Sequence, residues 1–397
     1  MKIGNLRSER DSGRVRAAAT ITWEDRDLPD KEVYVAVDEA FGCSLACNPH
    51  TFLVAALIPA MHCGEERVLV DAEICPELRQ GLCIAMRTFE TWYKGGRWRH
   101  KPIQIEARTL RQGRTKASPE REAFLISGGI DSLATLRANR LNYPPDHPRA
   151  LRDGFILGGL QPEVDAVFED VVRSLSVIAD AAHFTLIPVF TNVRDLVDDW
   201  SFWAYYFEGA CFAAVAHAFA PRITALTIAS SCDLPNLQPF GSHPLIDPNY
   251  SSSDLRIRHD DITLSRFDKT KLLAEWDVAL QRLRVCNSPQ PGSLLNCGQC
   301  EKCVRTMLAL VALGKLADTP AFHLDDLTVG QVESAVRLGR SNLTLYPELI
   351  PPLLAIGRHD LAHTIERKIK VYHLSRLRRR LRQNTERPLA RFLGKIR

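Results

Sequence analysis

The sequence predicts an α/β fold: a doubly wound parallel sheet, with an α+β unit before it and helices after it. Three observations carry the prediction. From Ala123 onward, apolar runs of strand length alternate with helical stretches. The first run ends in two adjacent glycines and passes at once into a helical pattern. A later segment, Trp200 to Ala220, is apolar nearly all round, as a helix buried against a sheet is.

The first expected unit covers residues 1–115. Arg14 to Trp23 and Glu32 to Val37 are strand-like, the second with clear alternation. Thr51 to His62 is a mostly apolar helix with Pro59 near its end. Val68 to Val70 is a strand, Pro76 to Tyr93 an amphipathic helix, and Ile103 to Ala107 a short alternating strand. Arg111 to Arg121 is polar and basic, contains Gly113, Ser118 and Pro119, and reads as a linker.

The second unit, 120–285, opens with the strand Phe124–Ile126 and the helix Leu133–Leu141. Asp153 to Leu157 is its second strand and ends in Gly158-Gly159. Val164 to Ala182 is a helix with Val164, Phe168, Val171, Val172, Leu175 and Ile178 on one face. Phe184 to Phe190 and Ile223 to Ala229 are the third and fourth strands, the latter ending in Ser230-Ser231. Leu255 to Arg258 is a candidate fifth, and a helix opens at Lys269. Ligands in open α/β sheets lie beyond the carboxyl ends of the strands. Ser127 to Ser132, Gly158-Gly159, Asn192 and Ser230-Ser231 therefore belong around one crevice. Ser230 and Ser231 either contact substrate there or cap their loop.

Composition narrows the class. The chain has 397 residues, 45% hydrophobic and 25% charged, ordinary for a globular protein of two domains. The first ten residues are polar and charged, so no signal peptide is expected. Phe202 to Ala220 is the best membrane-span candidate, but Glu208 and His217 lie within it, and no membrane association is expected. Eleven cysteines without a secretion signal point to a reducing, cytoplasmic setting, with thiols as core residues or metal ligands. Cys43 and Cys47 near His50 have no second close pair and read as ordinary thiols.

Ser127-Gly-Gly-Ile-Asp-Ser132 is the first chemical signal. Strand, glycine turn and helix put backbone N–H groups and a positive helix end before an anion. Gly128 and Gly129 allow close backbone approach to a phosphate. Ser127 and Ser132 add hydroxyls, and Asp131 either helps hold a magnesium ion or orders the turn. There is no Gly-x4-Gly-Lys-Ser/Thr loop, which disfavours Walker-type kinase or GTPase chemistry.

Cys297-x2-Cys300-x2-Cys303 is the second, with Cys286 eleven residues upstream. Four thiolates suit a closed, tetrahedral, structural zinc site; an iron–sulfur cluster and three unligated thiols are the alternatives. Between the two signals lies Gly241-Ser-His243-Pro-Leu-Ile-Asp247, a long connection for a compact α/β domain. Such loops at a sheet's carboxyl edge carry substrate contacts, and His243 and Asp247 are the first candidates, though His243 equally suits a loop cap.

The Ser127–Ser132 stretch resembles the PP-loop of the ATP pyrophosphatase superfamily. Those enzymes bind ATP on a Rossmann-like sheet of the adenine nucleotide alpha-hydrolase type. They adenylate a carbonyl or carboxylate and release pyrophosphate. Together with the cysteines and Leu264-Ser-Arg-Phe-Asp-Lys269, it is similar to the bacterial 7-cyano-7-deazaguanine synthases. The likeness covers roughly Ala123 to Leu310. It implies an ATP-dependent ligase that joins a 7-carboxy-7-deazaguanine-like acid to an amine donor, ammonia or a protein amine, giving an amide or nitrile. It implies ATP and magnesium on Ser127, Gly128, Gly129, Asp131 and Ser132, and zinc on Cys286, Cys297, Cys300 and Cys303. Lys269 becomes either a phosphate contact or a helix-start surface lysine. The family's Gly-Tyr-Pro-Asp-type stretch is replaced here by Gly241-Ser-His-Pro244. Relatives with added segments at both ends are found among queuosine-synthase-like proteins of antiphage islands, some of which attach a deazaguanine to a partner protein. A PP-loop tRNA-modifying enzyme and a non-catalytic nucleotide-binding module are the rival readings.

The C-terminal region, 316–397, ends in an arginine-rich helix. Residues 367–397 hold twelve Lys or Arg and one acid, a net +11 against +4 for the whole chain, so the remainder carries −7. A solvated helix, a nucleic-acid footprint and a docking helix for a protein partner are the three readings.

Overall fold

The computed structural model describes residues 1–94, 101–110, 121–161, 165–286 and 295–393, with side chains through residue 378. Residues 111–120 of the expected linker and residues 287–294 lie outside the described residues. Two compact units appear, Met1–Arg284 and Val285–Arg397.

The first unit is built on one ten-stranded sheet. Its strands are β1 (Lys2–Asp11), β2 (Arg14–Thr22), β3 (Lys31–Asp38), β4 (Arg67–Ile74), β5 (Gln104–Thr109), β6 (Glu122–Leu125), β7 (Leu151–Gly158), β8 (Thr185–Thr191), β9 (Ala225–Ala229) and β10 (Arg256–Asp260). Their order is β10-β9-β6-β7-β8-β3-β2-β1-β4-β5. Strands β6 to β10 are parallel throughout. The chain winds outward through β6, β7 and β8, then returns to add β9 and β10 on the other side of β6. That is the doubly wound arrangement, and its switch point falls between β6 and β9.

The N-terminal strands are not a separate sheet. β3 pairs antiparallel with β8 through Val35↔Thr191, Ala36↔Phe190 and Val37↔Val189, so the unit expected over 1–115 continues the parallel sheet. The packing agrees. Helix α1 (Pro49–Cys63) is buried from His50 to Met61 and lies against α5 (Glu208–Ala218). Phe52, Leu57, Ala210 and Val215 belong to one shared core. A helix apolar on all sides needs partners on all sides; besides β1, β4 and α2, α1 finds its largest partner in residues some 150 positions later. The boundary near residue 115 is therefore a sequence feature inside one compact body.

Strand β1 was not expected, because Asn5, Arg7, Ser8, Glu9 and Arg10 give it no apolar alternation. Pairing creates it: β1 and β2 form a hairpin closed by Ser12 and Gly13, at φ 50 and 78. Two central residues with positive φ make the turn whose twist matches a hairpin. The apolar segment from Trp200 is likewise no span. Trp203–Phe207 is a π-turn leading into buried α5, and among the described residues no helix is long and apolar enough to cross a membrane.

Helices α2 (Pro76–Trp92), α3 (Ile130–Asn142), α4 (Phe168–Ala182), α6 (Arg266–Ala274) and α7 (Asp277–Arg282) complete the unit; α3 packs on α6, and α4 on α7. At the amino end of the sheet, Asp153 is wholly buried between the guanidinium groups of Arg121 and Arg222, at 2.5–2.9 Å. Burial alone raises its carboxyl, but the two bidentate arginines hold it below the ordinary range.

His217 in α5 is fully buried, with Nε2 2.8 Å from the Tyr250 carbonyl and its ring edge-on to His50. Burial, then the nearby His50, lowers its pKa from 6.5 to about 3. The unfolded chain takes up this proton near pH 6.5 and the folded one does not, so the stability it confers is full above 6.5 and falls as pH drops toward 3. One proton corresponds to a slope of about 1.4 kcal/mol per pH unit. We expect His217→Asn to be less stable at pH 7.5 and to flatten that slope between pH 6 and 4. Urea midpoints measured across the range check this, and an unchanged slope would remove His217 as the acid-sensitive group.

The second unit contains α8 (Glu301–Ala312), α9 (Val329–Ala335), α10 (Ile350–Ala355) and α11 (His359–Leu393). Tyr346 Oη and Arg305 both bond Glu301 Oε1, at 2.7 and 2.8 Å, which fixes the start of α8. Leu361, Ala362 and Ile365 bury the first turns of α11, while Val371, Leu374 and Leu377 are more than half exposed.

Candidate functional site

The switch point brings together the ends of β6 and β9 and the residues following β10. After β6 the chain makes a strained turn, with Gly128 at φ 76, and enters α3. Only glycine adopts that backbone freely. Gly129 caps the helix without a side chain. Ser127 Oγ and Ser132 Oγ lie 3.2 Å apart, and Ser127 Oγ accepts the Gly129 N–H at 3.2 Å. The Ser132 hydroxyl also accepts the Ser127 N–H at 3.2 Å. The serines therefore brace the loop internally, and the first-turn N–H groups of α3 have no intrahelical acceptor.

Asp131 faces two cations. Arg266 Nη2 is 2.9 Å from its Oδ2, and Lys269 Nζ is 3.5 Å from its Oδ1. That Oδ1 is buried and accepts no hydrogen bond. Lys269 is 1% exposed and donates to the Ser230 carbonyl at the end of β9. A buried ammonium must be paired, and this one is paired at the loop. It is thus no surface lysine. Its placement follows from α6, whose N-cap Ser265 takes the Asp268 N–H at 3.1 Å. Asp261, at φ 65, bonds the Thr135 hydroxyl of α3, and burial raises its carboxyl. Arg284 closes the other side: its N–H donates to the Gly128 carbonyl at 2.8 Å and its guanidinium to the Ser127 carbonyl at 3.0 Å. Sequence reasoning gave no role to Arg266, Asp261 or Arg284; Arg266 lies within the Leu264–Lys269 segment quoted for the resemblance, Asp261 in an acidic pair at a strand end, and Arg284 carries no motif of its own.

Of the remaining candidates, Ser231 follows the Ser230 carbonyl that Lys269 holds. Ser231 is exposed, while Ser230 beside it is buried with its hydroxyl on the Cys232 carbonyl at 2.6 Å. A Cβ on Gly158 would meet Phe190 at 3.0 Å and Phe168 at 3.2 Å, so this glycine makes room for two rings. The Gly241–Asp247 loop is folded against the start of α5. Gly241 N–H donates to the Ala204 carbonyl at 2.9 Å, and the Gly241 carbonyl accepts the Gly209 N–H at 3.0 Å. A side chain on Gly209 would strike Asp247 at 2.1 Å. Asp247 is fully buried and holds the Ser242 hydroxyl at 2.7 Å, the His243 N–H at 3.3 Å and His259 Nδ1 at 2.7 Å. His243 packs edge-on against Trp92, and its Nδ1 accepts the Leu245 N–H at 3.0 Å. Both are organised around the loop itself, apart from the group of Asp131, Arg266 and Lys269.

In the second unit, the sulfurs of Cys286, Cys297, Cys300 and Cys303 all lie within 4.8 Å of one another. Cys286 is 3.9 Å from Cys300, and Cys297 is 3.9 Å from Cys303. A tetrahedral thiolate-bound ion with bonds of about 2.3 Å has sulfur–sulfur edges of about 3.8 Å. The cluster can hold a metal. The Cys286 and Cys300 sulfurs, with burial, push the Cys303 thiol far above its ordinary range; a bound cation would favour the thiolate there. Cys300 caps α8 and Cys303 is in its first turn, as the spacing predicts. Asn296 Oδ1 accepts the N–H groups of Val285 and Cys286 at 2.8 and 3.2 Å, and its amide donates to the Ala321 carbonyl at 3.0 Å. Compared with protein-family models, with curated proteins and with solved structures, the chain matches none of them.

Proposed function

We propose that the chain is an ATP-dependent carbon–nitrogen ligase of the PP-loop type. The observation that carries the reading is the buried Lys269 ammonium held at a Ser-Gly-Gly-x-Asp-Ser turn, at the switch point of a doubly wound sheet. The turn offers amides, hydroxyls and a helix N-terminus to a triphosphate. The buried, unbonded Asp131 Oδ1 suits the magnesium ion that accompanies it, and that ion supplies charge neutralisation. Zinc fits the four sulfurs by donor type and by edge length, in a closed structural site.

The chemistry runs in two steps. A substrate carboxylate oxygen attacks the α-phosphorus, the bond to the bridging oxygen breaks, and pyrophosphate leaves. An amine nitrogen then attacks the acyl-adenylate carbonyl, AMP departs, and the nitrogen loses a proton. Lys269 and Arg266 place positive charge where negative charge accumulates. The loop holds the reactants in line. A 7-carboxy-7-deazaguanine-like acid is the proposed carboxylate, with ammonia or a protein amine as acceptor. Thiolation, the tRNA-modifying rival, needs a reactive thiol; burial pushes both Cys232 and Cys211 up, away from thiolate form. The test is product analysis by mass spectrometry with ATP, the carboxylate and amine candidates. We expect AMP, pyrophosphate and an amide mass; ATP binding without any turnover would leave the non-catalytic module.

A further inference from the structure

His259 stands near the carboxyl end of β10, opposite Ile228 of β9. Side chains alternate along a strand. On one face, Arg258 turns to Glu122 and Asp260 to Arg149, each at 3.1 Å, and the Arg149 carbonyl is held by Asn139 of α3. His259 turns the other way, to Asp247, in the loop folded against α5. Asp261, just past the strand, returns to α3 through Thr135. The end of β10 therefore presents groups on both faces of the sheet. It is also tied to the phosphate side: the Asp260 carbonyl accepts the Ser230 N–H at 2.9 Å, and Lys269 holds the Ser230 carbonyl. Ligands of open α/β sheets lie at this edge, between loops from the two faces.

Asp247 Oδ2 takes His259 Nδ1 and the Ser242 hydroxyl, each at 2.7 Å, and Oδ1 takes the His243 N–H at 3.3 Å. A carboxylate oxygen only accepts, so Nδ1 carries the ring proton and Nε2 holds the lone pair. A base oriented in this way by a third group is the arrangement of proton-transfer catalysts. The His259 side chain is 4% exposed, and its Nε2 has no hydrogen-bond partner among the described residues. A buried nitrogen left unpaired costs stability, and an ammonium N–H is the kind of donor it lacks. His243 differs, because its Nδ1 is spent on the Leu245 N–H.

We infer that His259 is the proton acceptor for the amine in the second step, with Asp247 as the positioning residue that fixes its tautomer. This rests on the ligase reading above. Ammonium has no lone pair with which to attack. It passes one proton to Nε2, and the neutral ammonia attacks the acyl-adenylate carbonyl. The bond to the AMP oxygen breaks, AMP leaves as the phosphate anion, and the nitrogen loses a second proton to water. His259, now an imidazolium, returns its proton to water.

The experiment uses the full chain with ATP, 7-carboxy-7-deazaguanine and ammonium at neutral pH. Labelled pyrophosphate exchange reads the first step, and amide mass reads the second. His259→Asn keeps a donor to Asp247 and removes the basic nitrogen. We expect its amide formation to fall by about 10²-fold relative to exchange, the lower end of what a general base contributes. Hydroxylamine, a weaker base already uncharged at neutral pH, needs no such acceptor, so hydroxamate formation should stay near the natural rate. Asp247→Asn should show the same split and the same recovery, because an amide N–H facing Nδ1 moves the ring proton to Nε2. Melting curves accompany each variant, and His259→Gln replaces His259→Asn if the latter is unfolded. Exchange and amide formation falling together, or a loss that hydroxylamine does not recover, would make His259 a structural residue and overturn the inference. A natural chain that exchanges pyrophosphate but makes no amide from ammonium would overturn it as well. A natural chain without exchange sinks the ligase reading itself, and the base falls with it.

Discussion

Replacing Lys269 by methionine is expected to lower pyrophosphate release by two to three orders of magnitude while leaving the protein folded. The ammonium is buried, and its desolvation is already offset by Asp131 and the Ser230 carbonyl. Preorganised charge of this kind acts strongly because it needs no rearrangement during the reaction, and removing one such donor costs about 10²–10³ in rate. Methionine keeps the volume and leaves Asp131 with Arg266 at 2.9 Å. Asp131→Asn is expected to act similarly, by withdrawing the oxygen proposed for magnesium. Pyrophosphate release at saturating ATP, set beside thermal melting, is the measurement. A folded Lys269→Met protein within threefold of natural activity would rule out a catalytic lysine.

Loss of the metal is expected to unfold the second unit. Structural zinc contributes about 10–16 kcal/mol of apparent binding free energy in small zinc modules, comparable with or larger than the whole stability of a domain. Cys303 is buried in the first turn of α8, so Cys303→Ser removes a ligand and leaves a smaller polar group in its place. We expect bound zinc to fall from one equivalent to near none, and residues 285–397 to become open to protease while residues 1–284 stay protected. Full metal content in Cys303→Ser, or unchanged digestion after chelation, would contradict a structural metal. The acid sensitivity assigned to His217 lies in the other unit and serves as an internal control.

The geometry of the site was legible where it is local. Ser127 to Ser132 is a strand end, a glycine turn and a helix start within ten residues, and each part has its own residue signature. The cysteines were legible because two-residue spacing brings sulfurs to one side of a turn. What the sequence hid were partners brought in from far along the chain. Arg266 and Arg284 reach the loop from more than 130 residues away; the segment around Arg266 was singled out for its lysine, and nothing in the neighbours of Arg284 marks it. The pairing of Val35 with Thr191 is equally silent, because an alternating strand looks the same whichever neighbour it finds. The Gly241–Asp247 stretch was read by length as a substrate loop. Its internal order comes from glycines at 209 and 241 that allow backbones to touch, a feature visible only once α5 is in place.

The seam between β3 and β8 also bears on how the chain is made. Helix α1 is complete by residue 63, yet its main partner α5 begins at residue 208. At synthesis rates of about 5–20 residues per second, an almost wholly apolar helix waits roughly 10–30 s for its mate. Hairpin β1–β2 closes early and locally, but it cannot cover that surface. The nascent N-terminal third is therefore expected to need cover until α5 and the parallel strands emerge. Pairing across so long a stretch of chain slows folding in general.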